Sequence, residues 1–314
     1  MRMLVLALLL LFASDAAAQH RVAHPDSARI VVDDVARFWR AYDLLTPSMT
    51  RADSVEILER EYIASASAGL RGYLQSHLKK PENLLMGLGL LPKYLAAVRA
   101  GTLSIDPAAV RTALRRLEQF YPDATYPDVY FVIAGFTSQG TVSHGNVVIA
   151  AEMVTADGHT PRAELPPFLR SVDLTRSVLP CIMVHEMMHA QQNYRRDPSL
   201  LAQVLTEGVA DFITMKAIGC VQTAAATYAY GEAHERELWL QFQQEMNGTD
   251  ISQWLYNGNI KDRPDQLGYW MGYQIAEAYY ERAADKQRAI RDLLNIQDYR
   301  ALLHASRYAQ KFEK

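Results

Sequence analysis

Hydrophobic residues recur every three or four positions over most of the chain, the spacing that gathers them on one face of an α-helix. The repeat predicts helices over 33–44, 53–78, 82–100, 106–120, 173–195, 199–219, 222–246, 265–284 and 297–312. The helix over 106–120 has the clearest start, because Asp106 is a favoured N-cap residue and Pro107 suits the first helical position. The chain is therefore expected to be mostly helical.

A different pattern occupies the middle of the chain. The segments DVYFVIAG (128–135) and GNVVIAAEM (145–153) are rich in β-branched and apolar residues, which predicts two strands joined by a glycine-containing connection. We expect the second strand, entered through Gly145 and Asn146, to be an exposed edge that binds an extended peptide by strand addition. A small sheet that only covers the core is the alternative. Both interpretations give a mostly helical α+β fold.

The first 18 residues, MRMLVLALLLLFASDAAA, predict a secretory signal peptide. Arg2 supplies the positive start, 3–12 the apolar run and 16–18 the small-residue cleavage site. The run is too short to span a bilayer, and no cysteine adjoins the cleavage point to carry a lipid anchor. We expect the mature chain, 19–314, to be one secreted or periplasmic domain without a stable membrane span. An uncleaved N-terminal anchor is the alternative.

Composition narrows the range of partners. The 314 residues are 49% hydrophobic and 21% charged, as in an ordinary globular protein, and the formal net charge is −3. No basic block stands out, whereas binding to a phosphate backbone needs a clustered excess of Lys and Arg. Nucleic acid is therefore not an expected partner.

The clearest chemical motif is His185-Glu186-Met187-Met188-His189, inside the apolar segment VLPCIMVHEMMHAQQNY. On a helix, residues four apart share a face, so both imidazoles can reach one ion at about 2.0–2.1 Å. The neighbouring Glu186 can take a proton from a zinc-activated water. Three polar groups on a buried helix need partners, and a metal ion would satisfy them together. Three separate sets of hydrogen bonds would be the ordinary alternative.

A third ligand is expected from the segment LTEGVADFITMKAIGC. A short turn around 197–199 joins two helices, which should then pack antiparallel. In that arrangement Glu207 faces His189, and Asp211, one turn further on, comes level with His185. Asp211 can then accept the other ring N–H of that histidine and fix its orientation. The alternative is an ordinary solvated pair of acids, which the apolar surroundings disfavour.

These two segments resemble the gluzincin class of zinc metallopeptidases, in which H-E-x-x-H is followed by E-x-x-x-D. The chain is most similar to a poorly characterised bacterial family of predicted zinc proteases related to gliding-motility protein B. The resemblance covers most of the mature chain and is carried by FWRAYD, HEMMHAQQ, TEGVADF and LGYWMGYQIAEAYYE. It implies a zincin-like domain with Zn²⁺ as cofactor, the ligands His185, His189 and Glu207, the base Glu186, and Asp211 behind the ligands.

Two tyrosines are candidates for stabilising the oxyanion of peptide hydrolysis, which needs a donor besides the metal. Tyr269 and Tyr273 lie one helical turn apart in LGYWMGYQIAEAYY, and the sequence does not choose between them. An aromatic packing face is the alternative for each. His234 has charged neighbours and is expected to be an exposed helical residue, and His144 is expected to be a loop residue.

The two cysteines are expected near the ligands. Cys181 precedes His185 by one turn and Cys220 ends the helix of Glu207, so antiparallel helices would bring the two thiols close enough for a possible disulfide. Two separately buried thiols are the alternative.

The sequence thus predicts a secreted or periplasmic zinc peptidase that acts on peptides or proteins. The alternative is a non-catalytic component of the cell envelope with a structural metal site of four protein ligands, as the likeness to gliding-motility proteins suggests. The native substrate, the cleavage specificity, endo- or exopeptidase action and the oligomeric state are not encoded in any motif.

Overall fold

The computed structural model describes residues 20–89, 91–170, 172–257, 260 and 263–313. The predicted signal peptide, 1–18, and its cleavage point lie outside these residues. The fold is α+β and mostly helical with a small sheet, as the sequence predicts. Within the described part of the chain, no helix is both long and apolar enough to cross a membrane.

The helices and strands follow one another in the order helix-rich, sheet, helix-rich. The helices are α1 Asp33–Tyr42, α2 Arg51–Leu58, α3 Ala68–Tyr73, α4 Pro81–Gly89, α5 Pro92–Leu103, α6 Pro107–Phe120, α7 Pro167–Arg170, α8 Leu179–Gln191, α9 Leu200–Ile218, α10 Ala225–Ala233, α11 Glu235–Glu245, α12 Leu267–Arg282, α13 Lys286–Leu293 and α14 Tyr299–Ser306. The strands are β1 Arg21–Val22, β2 Ile30–Val31, β3 Tyr126–Pro127, β4 Val129–Val132, β5 Gly140–Ser143 and β6 Asn146–Ala150.

Several helices are shorter than the hydrophobic repeat predicts. The helix predicted over 53–78 is broken by a turn, after which Ser67 caps α3 by accepting a hydrogen bond from the Leu70 amide. The helix predicted over 82–100 is divided before Pro92, because a residue that precedes proline avoids the α conformation. The helix predicted over 222–246 is divided at His234 (φ −118°). Helix α13, capped by Asp285, was not predicted.

The sheet has the order β2-β4-β6-β5, in which β2, β4 and β6 are parallel and β5 runs antiparallel to β6. The predicted connection between two strands thus contains a third strand. It turns back at His144 and Gly145, both with positive φ, as a tight hairpin requires. The prediction that 145–153 forms an edge strand is wrong, since β6 is paired on both sides and β5 is the edge. The unbroken apolar run in β6 is typical of such a covered strand.

Helices α8, α9 and α12 pack together beneath the edge of the sheet. The first two are antiparallel, because Cys181 near the start of α8 is bonded to Cys220 beyond the end of α9. Two glycines let α9 and α12 touch: a Cβ on Gly208 would lie 2.2 Å from the carbonyl carbon of Gly272. This close approach brings the first turn of α12 to the face of α8 that carries the histidines.

Candidate metal centre

Three side-chain atoms converge between α8 and α9. The Nε2 atoms of His185 and His189 are 3.0 Å apart, and Oε2 of Glu207 lies 3.3 Å from the first and 3.1 Å from the second. Ligands held at about 2.0–2.1 Å around a tetrahedral zinc ion are themselves about 3.3 Å apart. The three residues predicted as ligands are thus brought together at the spacing that a small divalent ion requires, with no rearrangement of their helices.

The carboxylate of Asp211 orients His185. It is fully buried, and Nδ1 of His185 lies 2.9 Å from its Oδ1. The other carboxylate oxygen accepts hydrogen bonds from the hydroxyls of Thr223, at 2.7 Å, and Tyr228, at 3.3 Å. Since a carboxylate surrounded by donors accepts, Nδ1 of His185 donates. Its Nε2 then faces the centre, where it can bind either a proton or a metal ion.

The side chain of Gln192 orients His189 in the same way. Its amide nitrogen donates to the carbonyl oxygen of Thr206 over 2.7 Å, which leaves its Oε1 to accept from Nδ1 of His189, 2.9 Å away. A backbone carbonyl can only accept, so this orientation of the amide is required. Nε2 of His189 therefore also faces the centre and is available to a proton or a metal ion. The sequence had not indicated a role for Gln192.

The centre attracts positive charge. Burial opposes protonation of His185, but its hydrogen bonds with Asp211 and Glu207 outweigh burial and raise its pKa to about 10. The pKa of His189 is raised as well, against burial, chiefly by the charge of Glu207. Burial also opposes ionisation of Glu207, yet the two histidines hold its pKa well below the ordinary range. Three groups that stabilise a cation in this way can hold a metal ion.

Glu186 lies at the wall of the cleft above the centre, where burial raises the pKa of its carboxyl group. Strand β5 passes directly over it: a Cβ on Gly140 would lie 2.6 Å from Cγ of Glu186. The backbone of the edge strand can approach the acid this closely only because residue 140 is glycine. Sequence reasoning missed this residue, although glycine within a strand is a known sign of close approach.

The cleft has a volume of about 1030 Å³, enough for several residues of an extended peptide. Its lining comes from the edge strand and the loop before it, from the segment after α8, and from the described residues of the loop between α11 and α12. Among its lining residues are Thr137, Gln139, Gly140, Val142, Gln192, Arg195, Arg196, Tyr256, Asp265 and Tyr269. The edge that faces the centre is therefore β5, not the predicted 145–153.

The two predicted tyrosines are separated by the fold. Tyr269 lines the cleft, and its ring lies parallel to that of His185 with the centroids 5.9 Å apart. Tyr273 does not line the cleft; its ring packs edge-on against Phe212 and Tyr228. A third tyrosine, Tyr256, donates a hydrogen bond from its hydroxyl to Oε1 of Glu207 over 2.8 Å. It lies in an irregular loop, where no periodic pattern could indicate it.

The remaining candidates lie away from the three ligands. Nδ1 of His234 donates to the carbonyl of Tyr230, and His144 is placed beside Ser143 in the β5–β6 turn. Neither joins the group that could hold a metal ion among the described residues. Cys181 and Cys220 form a disulfide, with the Cα atoms 5.8 Å apart.

The fold and the site together define a helix-rich α+β protein with two histidines and a glutamate converging from antiparallel helices. The family model described as gliding motility protein GldB matches residues 106–310, more than half of the chain. The chain belongs to this gliding motility family. No curated protein and no solved structure matches the chain significantly. The family part of the predicted resemblance is thus confirmed, whereas its zinc-peptidase part stays a prediction.

Proposed function

We propose that the protein is a component of the bacterial cell envelope whose cleft holds a zinc ion and hydrolyses peptide bonds. Membership of the gliding motility family supports the envelope location. It supports the non-catalytic alternative better than the peptidase, because the family description names no enzymatic activity. The catalytic part of the proposal therefore rests on the chemistry of the site.

One observation supports the proposal that the site binds a metal ion. Two imidazole nitrogens and one carboxylate oxygen face one another at 3.0–3.3 Å, and Nδ1 of each histidine has another acceptor. Three such groups need a positive charge between them, which a proton or a divalent ion can supply. Zinc fits the nitrogen and oxygen donors, which form the two-histidine, one-glutamate set of hydrolytic zinc sites.

The residues around the centre support hydrolysis. A bound zinc ion would supply the acidity that activates a solvent molecule at neutral pH. Glu186 is a buried carboxylate with a raised pKa at the cleft wall, so it can accept a proton and pass it to a leaving amine. The hydroxyl of Tyr269 can donate to a developing oxyanion. The unpaired edge of β5 offers backbone groups to an extended peptide.

The rival function is a non-catalytic envelope component in which the metal is structural. Such a site would be closed by a fourth protein ligand. Among the described residues the candidate group contains three ligands, and His144 and His234 have other partners. His185, His189 and Glu207 all line the cleft. This geometry favours the open, catalytic arrangement.

The test uses the purified mature protein, its metal content and a peptide library. We expect one zinc per chain and metal-dependent cleavage, and we expect Glu186→Gln to retain zinc while losing at least about a hundredfold in rate. Stoichiometric zinc without hydrolysis of any peptide would establish the structural alternative. Absence of bound metal in a protein supplied with zinc would refute both.

A further inference from the structure

Two arginines of the cleft form no salt bridge with any residue that the structure describes. Arg195 and Arg196 lie between α8 and α9 and line the same cleft as the three ligands, with both side chains exposed. Within the part of the chain that the structure describes, no carboxylate lies within 4.0 Å of either guanidinium. Arg99, in contrast, holds both oxygens of Asp43 at 2.6 Å on another face of the protein.

The backbone that carries the two arginines is held in place. The amides of Asn193 and Arg195 donate to the carbonyls of Leu294 and Ile296, at 2.9 and 3.1 Å. The hydroxyl of Tyr299 donates to the carbonyl of Arg195 over 2.9 Å. A charged side chain on a fixed backbone loses less conformational entropy on binding a ligand than one on a mobile loop.

The nearest acid does not neutralise this region. Oδ1 of Asp197 accepts a hydrogen bond from the Ser199 amide, 2.8 Å away, at the start of α9. Its hydrogen bonds with Ser199 hold its pKa below the ordinary value, and the positive charges of Arg195 and Arg300 lower the pKa further. Two guanidinium groups, those of Arg195 and Arg300, thus act on one carboxylate that already has a structural role.

We propose that Arg195 and Arg196 form a carboxylate-binding subsite, which makes the cleft select peptides with an acidic group on this side of the scissile bond. A planar guanidinium binds a carboxylate through two parallel hydrogen bonds, which gives orientation as well as charge complementarity. The carboxylate is that of an Asp or Glu side chain or of a free C-terminus. The subsite deepens the proposed hydrolytic function and rests on it for its role.

Peptide binding tests the subsite separately from turnover. Zinc-loaded Glu186→Gln protein is titrated with fluorescent peptides in which one Asp is moved along a neutral sequence. We expect one Asp position to raise affinity at least tenfold, and Arg195→Gln/Arg196→Gln to abolish this gain without changing affinity for the neutral peptide. Arg60→Gln is the matched control: it removes an exposed arginine from the helical turn Glu59–Ile63 that follows α2, and it should retain the gain. C-terminal amidation separates the two sources of carboxylate.

Three outcomes are informative. An arginine-dependent preference in a protein that hydrolyses no peptide would leave the subsite standing and refute the proposed hydrolysis. Cleavage of acidic and neutral peptides at rates unaffected by the double variant would refute the subsite alone. Equal or undetectable binding of acidic and neutral peptides by the zinc-loaded protein would also refute it.

Discussion

The Tyr256 hydroxyl and the Glu207 carboxylate form a hydrogen bond of 2.8 Å that leaves one carboxylate oxygen for the histidines. Tyr256 donates to Oε1, whereas Oε2 faces His185 and His189. Tyr256 is 63% exposed and its backbone has a φ of 54°, a conformation that is unfavourable for a bulky residue. The loop thus holds Tyr256 in a strained geometry that orients the proposed third ligand.

We expect Tyr256→Phe to weaken zinc binding by about tenfold, because the partners of metal ligands typically contribute 10–100-fold to affinity. Competition with a chromophoric chelator measures the change. Tyr279→Phe is the matched control, since that hydroxyl also donates to a carboxylate, Asp292, but outside the cleft. Equal zinc affinities of the two variants would show that Tyr256 does not position Glu207.

Asp211→Asn should affect both zinc binding and stability. The asparagine amide would present N–H groups to at least one of the donors that now surround the carboxylate, and His185 would lose a charged acceptor. We expect a loss of about 10–100-fold in zinc affinity and about 1–3 kcal/mol in the free energy of unfolding. Chelator competition and urea unfolding measure the two effects. Unchanged zinc affinity would exclude a role for Asp211 in orienting His185.

Gly140→Ala tests the contact between the edge strand and Glu186. The new methyl group would lie 2.6 Å from Cγ of Glu186, so either β5 or the acid must move. We expect a fall in peptide cleavage of at least tenfold with zinc binding retained, and a loss of about 1–3 kcal/mol in stability from overpacking. Gly158→Ala is the control, because a Cβ there meets nothing within 4 Å. An active Gly140→Ala variant would contradict the assignment of Glu186 as base.

The disulfide between Cys181 and Cys220 fixes the start of the loop that contacts Asp211. Cys220 begins the loop that contains Thr223, whose hydroxyl donates to Asp211. We expect Cys181→Ala/Cys220→Ala to lose about 2–4 kcal/mol of stability, since the cross-link closes a long loop. Urea unfolding and chelator competition should show lower stability together with weaker zinc binding. A stability loss without a change in zinc affinity would show that the disulfide does not support the metal centre.

Glu152 makes stability depend on pH. This carboxyl group is fully buried after β6 and accepts hydrogen bonds from the amides of Ala134 and Phe136. Burial raises its pKa to about 7, above the 4.5 of an unfolded chain. The unfolded state therefore releases the proton first, so this group lowers stability as pH rises from about 4.5 to 7, by roughly 3 kcal/mol.

Glu152→Gln should remove this dependence, because glutamine keeps an acceptor for the two amides without a titrating proton. We expect the variant to gain stability relative to the natural protein at pH 8 and to gain little at pH 4.5. Urea unfolding at both pH values measures the difference. If the variant and the natural protein differ in stability by the same amount at pH 4.5 and at pH 8, Glu152 does not titrate in this range.

The spacing of a few residues was enough to predict which side chains converge between α8 and α9. His185 and His189 share a helix face because they are four residues apart. The short turn before Ser199 requires that the next helix pack antiparallel to the first. Glu207 and Asp211 follow from those two local rules. Helix α6 was also predictable from the local sequence, since Asp106 accepts a hydrogen bond from the Ala108 amide as an N-cap should. Local covalent geometry and short-range hydrogen bonds determine such features.

The surroundings of the centre depended on contacts that the sequence pattern does not contain. Which strand forms the edge was decided by the pairing of β6 with β4 on one side and with β5 on the other. Tyr269 and Tyr273 differ by one turn on one helix, and only the packing of that helix against α9 places the first in the cleft. Tyr256, Gln192 and Gly140 approach the ligands from separate segments. Long-range packing alone determines such proximity, because nothing in the local sequence records the distance between segments.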